Sequence, residues 1–141
     1  MRCTIVRDKS GWNKFYPKYI LKLSESGKSL LNGKKRANNA TSNYAVSLDP
    51  LGRAKPVKNN DVLGKVRANF LGTEFYIFDE GCNPTKAKSP DQIRAQQGVV
   101  QYETNLLGSK GPRRMKVLLP NVDSSMRQFV WKSSDVSIFL F

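Results

Sequence analysis

The stretch from Asn43 to Arg67, read together with Arg94, has residue types suited to a multiply charged anion. Asn43 offers an amide, Lys65 and Arg67 lie two residues apart, and Arg94 stands alone further on. On a strand, a spacing of two sends both cations to one face, with Val66 between them turned inward. Arginine supplies a planar fork for phosphate oxygens and lysine a compact point charge, so the pair reads as a phosphate clamp. Arg94 completes such a site only if a second element carries it to the same point.

Catalytic machinery is hard to find beside these residues. The chain has no histidine, which removes the usual general base and most metal sites. The carboxylates Asp49, Asp61, Asp79, Glu80, Glu103 and Asp123 are scattered, and the adjacent pair Asp79-Glu80 reads as a turn. Gly27-Lys28-Ser29 resembles the end of a phosphate-binding loop, but Lys22 occupies the position where that loop needs a glycine. Two cysteines, Cys3 and Cys82, are too few for a disulfide framework or a zinc site. A reducing compartment is expected, and neither a metal nor a cofactor is.

The 141 residues suffice for one domain with one core. Lysine and arginine number 24 against 11 acidic residues, a formal charge of +13. Such a surface attracts nucleic acid, anionic lipid or acidic protein, and charge alone does not choose among them. The clusters Lys34-Lys35-Arg36 and Arg113-Arg114 read first as a solvated strand edge, and alternatively as a patch for nucleic acid or nuclear targeting. Residues 1–20 lack the apolar core of a signal peptide, and no run is long enough to span a bilayer.

The elements that must position the clamp are short strands. Residues 2–7, 15–23, 29–31, 42–48, 73–79, 99–104, 114–119 and 128–132 carry strand composition, with a hairpin turn at Ser24–Gly27. Residues 62–69, which hold Lys65 and Arg67, are ambiguous, and 49–61, 80–88 and 108–112 read as loops. Ser89-Pro90-Asp91 looks like a helix start, which predicts a short helix over about 90–97 carrying Arg94. Many strands and one short helix argue for a mainly antiparallel β barrel or sandwich.

Longer runs are more distinctive. Arg2-Cys3, Val6-Arg7-Asp8-Lys9, Thr41-Ser42-Asn43-Tyr44, Leu63 to Phe70, Gly72-Thr73, Tyr76 to Asp79, Asn83-Pro84, Tyr102-Glu103-Thr104-Asn105 and Lys110-Gly111-Pro112-Arg113 occur in order. Through them the chain resembles the tubby-like family, specifically the first half of its C-terminal domain. The match covers residues 1–133, with 134–141 an unmatched apolar tail. The resemblance implies a tubby-like antiparallel β-barrel, incomplete here because the C-terminal strands and central hydrophobic helix would follow. It implies binding of phosphatidylinositol 4,5-bisphosphate at the inner face of the plasma membrane, through Asn43, Lys65, Arg67 and Arg94. Lys34, Lys35 and Arg36 would be a supporting basic patch.

The leading expectation is therefore a non-enzymatic phosphoinositide-binding module, cytoplasmic and peripheral at the plasma membrane. It would resemble tubby-like adaptor or transcription-linked proteins that carry a protein cargo or enter the nucleus. The alternatives are a basic nucleic-acid-binding domain and a truncated fragment without function.

Overall fold

A computed structural model describes residues 1–37, 39–49, 62–103 and 114–132. Residues 50–61 of the loop expected at 49–61, the loop expected at 108–112, Arg113 and the tail 134–141 lie outside the described residues. The chain is mainly antiparallel β and divides into two compact units, Met1–Val66 and Arg67–Phe141.

The first unit contains β1 (Cys3–Asp8), β2 (Lys18–Leu23), β3 (Ser29–Lys35) and β4 (Asn43–Ser47), and β5 (Val62–Ala68) begins in it. Consecutive strands pair antiparallel, with Ile5 opposite Leu21, Leu21 opposite Leu31 and Gly33 opposite Val46. The β2–β3 hairpin turns at Ser24–Gly27, as its turn residues predict. Gly27 adopts a φ of 67° there and donates its N–H to the Leu23 carbonyl at 2.8 Å. A 3₁₀ turn, Gly11–Lys14, links β1 to β2. It is fastened by the Asp8 carboxylate, which accepts from Ser10 N–H, Ser10 Oγ and Asn13 Nδ2 at 2.6–2.8 Å.

The buried centre of this unit is partly polar. Ala45 and Ser47 alternate inward on β4, Asn32 lies opposite Ser47, and Asn32 Nδ2 donates to the Asp49 carbonyl at 2.9 Å. β3 pairs on both sides, with β2 and with β4. The reading of Lys34-Lys35-Arg36 as a solvated edge is therefore corrected: Lys34 and Lys35 belong to an interior strand.

The second unit contains β6 (Glu74–Asp79), β7 (Ala95–Tyr102), β8 (Met115–Leu118) and β9 (Trp131–Lys132). β7 pairs with β6 along one side. On its other side it takes β8 at Val99–Tyr102 and β9 at Ala95–Gln96. Phe78, Ala95, Val99 and Ala68 are buried, and the Phe75 and Tyr102 rings meet edge to face at 5.8 Å. The strands form one nine-stranded sheet, and it is open. Among the described residues β1 pairs only with β2, and β8 only with β7.

The helix expected over 90–97 is corrected in extent. The Ser-Pro-Asp signal starts a 3₁₀ turn, but it spans only Pro90–Gln92, and Ser89 makes no side-chain capping bond. β7 then begins at Ala95, four residues earlier than its sequence signal. The ladder wins because it satisfies each backbone group: Arg94 N–H donates to the Cys82 carbonyl, and Gln96 pairs with both Phe78 and Trp131. Arg94 therefore sits on an extended segment.

Candidate anion-binding site

Strand alternation on β5 does what the spacing predicts. Gly64 and Ala68 are buried on one face, and Lys65 and Arg67 lie on the opposite face, both half-buried. Arg67 Nε is fully buried and has no protein acceptor. A buried guanidinium N–H without an acceptor is costly, and an incoming oxyanion would satisfy it.

Arg94 reaches its position through contacts that the spacing of residues did not reveal. Cys82 and Ile93 form a parallel bridge, closed by Cys82 N–H to Gln92 carbonyl at 2.7 Å and Arg94 N–H to Cys82 carbonyl at 2.9 Å. Gly81 makes this approach possible. A Cβ there would lie 2.4 Å from Arg94 Cα and 2.7 Å from Arg94 N. Asp79 fixes the next link, its Oδ1 accepting from Gly81 N–H at 2.9 Å and Ala95 N–H at 3.0 Å. The guanidinium then lies over the Phe78 ring, 4.1 Å from its centroid.

Within the second unit, Arg67 and Arg94 stand close enough to repel. Burial holds the Arg94 guanidinium below its ordinary pKa, the Arg67 charge adds to that, and Asp79 opposes it. Gln96 lies opposite Phe78 on β7, 3% exposed, and neither of its amide atoms has a partner. Two partly desolvated guanidiniums and a buried amide with free hydrogen-bonding capacity are suited to a phosphate or a polyhydroxylated phosphate ester.

Asn43 and Lys65 belong to the first unit. Asn43 opens β4 on its buried face, and its Nδ2 donates to Asn39 Oδ1 at 3.3 Å. Its Oδ1 is buried and unpartnered. Arg36 lies directly across, its N–H donating to the Asn43 carbonyl at 2.8 Å and its own Nε buried without an acceptor. Alternation separates the three members of the basic patch. Lys34 and Arg36 share the Asn43 face, and Lys35 lies opposite Tyr44 on the other. Lys34 Nζ donates to Asn13 Oδ1, and burial together with Lys18 lowers its pKa.

Sequence reasoning missed Asp79, Gly81, Phe78 and Gln96. The Asp-Glu-Gly run signals a turn, and a turn signal does not disclose that residue 94 must pack against it. A cleft elsewhere, lined by Thr73, Glu74, Gln101, Tyr102, Glu103 and Lys116, holds two carboxylates and is unsuited to anions. Among the described residues no three His, Cys, Asp or Glu side chains gather as a metal site, and no helix is long and apolar enough to cross a membrane. Cys3 and Cys82 are exposed free thiols.

Comparison with known proteins gives the site a context. The model of the Tub family matches residues 1–139. The chain is 48% identical over 131 residues to Tubby-related protein 2 of Mus musculus, covering 88% of this chain and 23% of that protein. Identity to Tubby-related protein 1 of Homo sapiens is 41% over 128 residues, with 88% and 23% covered. For Tubby-related protein 3 of Homo sapiens it is 33% over 139 residues, with 94% and 31% covered. The chain thus spans less than a third of the length of these relatives.

Proposed function

Because the chain belongs to the Tub family, we propose that it is a phosphoinositide-binding module without enzymatic activity, selective for phosphatidylinositol 4,5-bisphosphate. It tethers reversibly to the cytoplasmic face of the plasma membrane and leaves any protein cargo to other surfaces. The observation that carries this reading is the pairing of Arg67 and Arg94. Both guanidiniums are partly desolvated, they repel each other, and Arg67 Nε lacks an acceptor. A vicinal bisphosphate supplies charge and oxygens to both at once. The family resemblance that names Arg67 and Arg94 for this ligand also names Lys65 and Asn43.

The test is Lys65→Glu together with Arg67→Glu, assayed on vesicles containing phosphatidylinositol 4,5-bisphosphate and on phosphatidylserine vesicles of equal charge. The variant is expected to fold and to lose the difference between the two. A folded variant that keeps its selectivity contradicts the proposal. The formal charge of +13 favours nucleic acid as the second reading. That reading predicts duplex binding with a steep salt dependence and no preference among inositol head groups.

A further inference from the structure

β5 and β6 are joined by a tight turn of unusual composition. Asn69 carbonyl accepts from Gly72 N–H at 3.2 Å, and Asn69 N–H donates to Glu74 carbonyl at 3.0 Å. The Asn69 side chain makes three hydrogen bonds back to the same loop. Its Oδ1 accepts from Thr73 N–H and Glu74 N–H at 2.9 and 3.2 Å, and its Nδ2 donates to Thr73 Oγ1 at 3.0 Å. Gly72 closes the turn at a φ of 67°, a conformation that favours glycine. The result is a rigid tip that holds two large apolar side chains in water: Phe70 is 84% and Leu71 76% exposed.

Hairpin tips are ordinarily polar, because water must solvate them. Here a fixed backbone exposes a phenyl and an isobutyl group side by side. The strand leading into the tip carries Lys65 and Arg67. At about 3.3 Å per residue, the tip stands roughly 10 Å beyond Arg67. Apolar groups of interfacial proteins enter the headgroup–acyl boundary to a depth of about 5–10 Å. The one carboxylate entering the following strand, Glu74, is occupied by Tyr76 Oη at 2.6 Å and Gln101 Nε2 at 3.3 Å.

We propose that the Phe70–Leu71 tip is a wedge that inserts into the interfacial region of an anionic bilayer while the cations behind it meet phosphates. The inference rests on the membrane reading above and adds a second, apolar contact to it. The partner is the lipid surface itself, so the wedge contributes affinity for any anionic bilayer and none for a soluble head group.

The experiment uses the full chain and a double variant, Phe70→Ser with Leu71→Ser, which leaves Asn69 and Gly72 in place. Three probes are compared: vesicles with phosphatidylinositol 4,5-bisphosphate, charge-matched phosphatidylserine vesicles, and soluble inositol 1,4,5-trisphosphate. The expected result is a loss of about tenfold or more on both vesicles, with trisphosphate binding unchanged. Vesicle binding equal to wild type overturns the wedge and leaves the clamp standing. Trisphosphate and head-group selectivity absent from the wild type, with vesicle binding still lost in the variant, overturns the clamp and leaves the wedge. A change in oligomeric mass with vesicle binding untouched assigns the tip to a protein contact and overturns the wedge. A Phe70→Trp variant supplies a direct depth reading. Lipids brominated on the acyl chain should quench it beyond the wild-type tryptophans, and equal quenching counts against insertion.

Discussion

Replacing Gly81 by alanine tests how the fold holds Arg94. The added Cβ would sit 2.4 Å from Arg94 Cα, 2.7 Å from Arg94 N and 2.9 Å from Asp79 Oδ1, where ordinary contact begins near 3.4 Å. The obstacles are backbone and a carboxylate already engaged, so no flexible side chain can swing aside. The segment carrying Arg94 must retreat by about 1 Å, an overpacking that costs about 1–3 kcal/mol. The same retreat stretches Arg94 N–H to Cys82 carbonyl (2.9 Å) and Ala95 N–H to Asp79 Oδ1 (3.0 Å) beyond good hydrogen-bond length. It also lifts the guanidinium off Phe78. Loss of one charged hydrogen bond to the ligand weakens binding by about 1.5–3 kcal/mol, roughly 10- to 150-fold. Urea unfolding measures the first effect, and titration with phosphatidylinositol 4,5-bisphosphate vesicles measures the second. Gly33→Ala is the control, since its Cβ would meet only Tyr19 Cβ at 4.0 Å. A Gly81→Ala protein as stable as the control, with undiminished selectivity, refutes the reasoning.

Two further predictions follow from single side chains. Gln96→Glu places a buried carboxylate on the Phe78 side of the site, beside Arg94; the fold should persist while vesicle affinity drops about tenfold, because the carboxylate competes with the ligand for the guanidinium. Tyr76 titrates at about 12, raised from 10.0 by burial first and then by its hydrogen bond to Glu74 and that residue's charge. The folded state therefore retains a proton that the unfolded state loses, so this contribution is complete below pH 10 and vanishes as pH rises through 12. Urea midpoints should fall across that window in the wild type and stay flatter in Tyr76→Phe.

Much of the fold was legible because local chemistry and tertiary pairing agree. The Ser24–Gly27 turn fixes the β2–β3 hairpin, and the strand composition of residues 42–48 marks β4. The spacing of Lys65 and Arg67 gives their common face, even though Gly64 and two cations left β5 itself ambiguous. The resemblance to the tubby-like family, borne out by the Tub family match, supplied Asn43 and Arg94, which no spacing would have named.

What was not legible depends on contacts distant in sequence. Ser89-Pro90-Asp91 does start a helical turn, but the ladder offered by Phe78 and Trp131 claims Ala95 and Gln96. Lys34 and Lys35 look like an edge until β4 is seen to pair beyond them. Gly81 reads as a turn residue, and its necessity arises only from the backbone at residue 94. Gln96 carries no local signal, since its meaning lies in burial without a partner.

The most direct measurement is co-sedimentation of the chain with two vesicle populations at physiological salt. One contains phosphatidylinositol 4,5-bisphosphate, and the other phosphatidylserine matched for total charge. A clamp built on Arg67 and Arg94 predicts strong preference for the first. Equal binding to both would show that only the net positive charge acts, and would contradict the account.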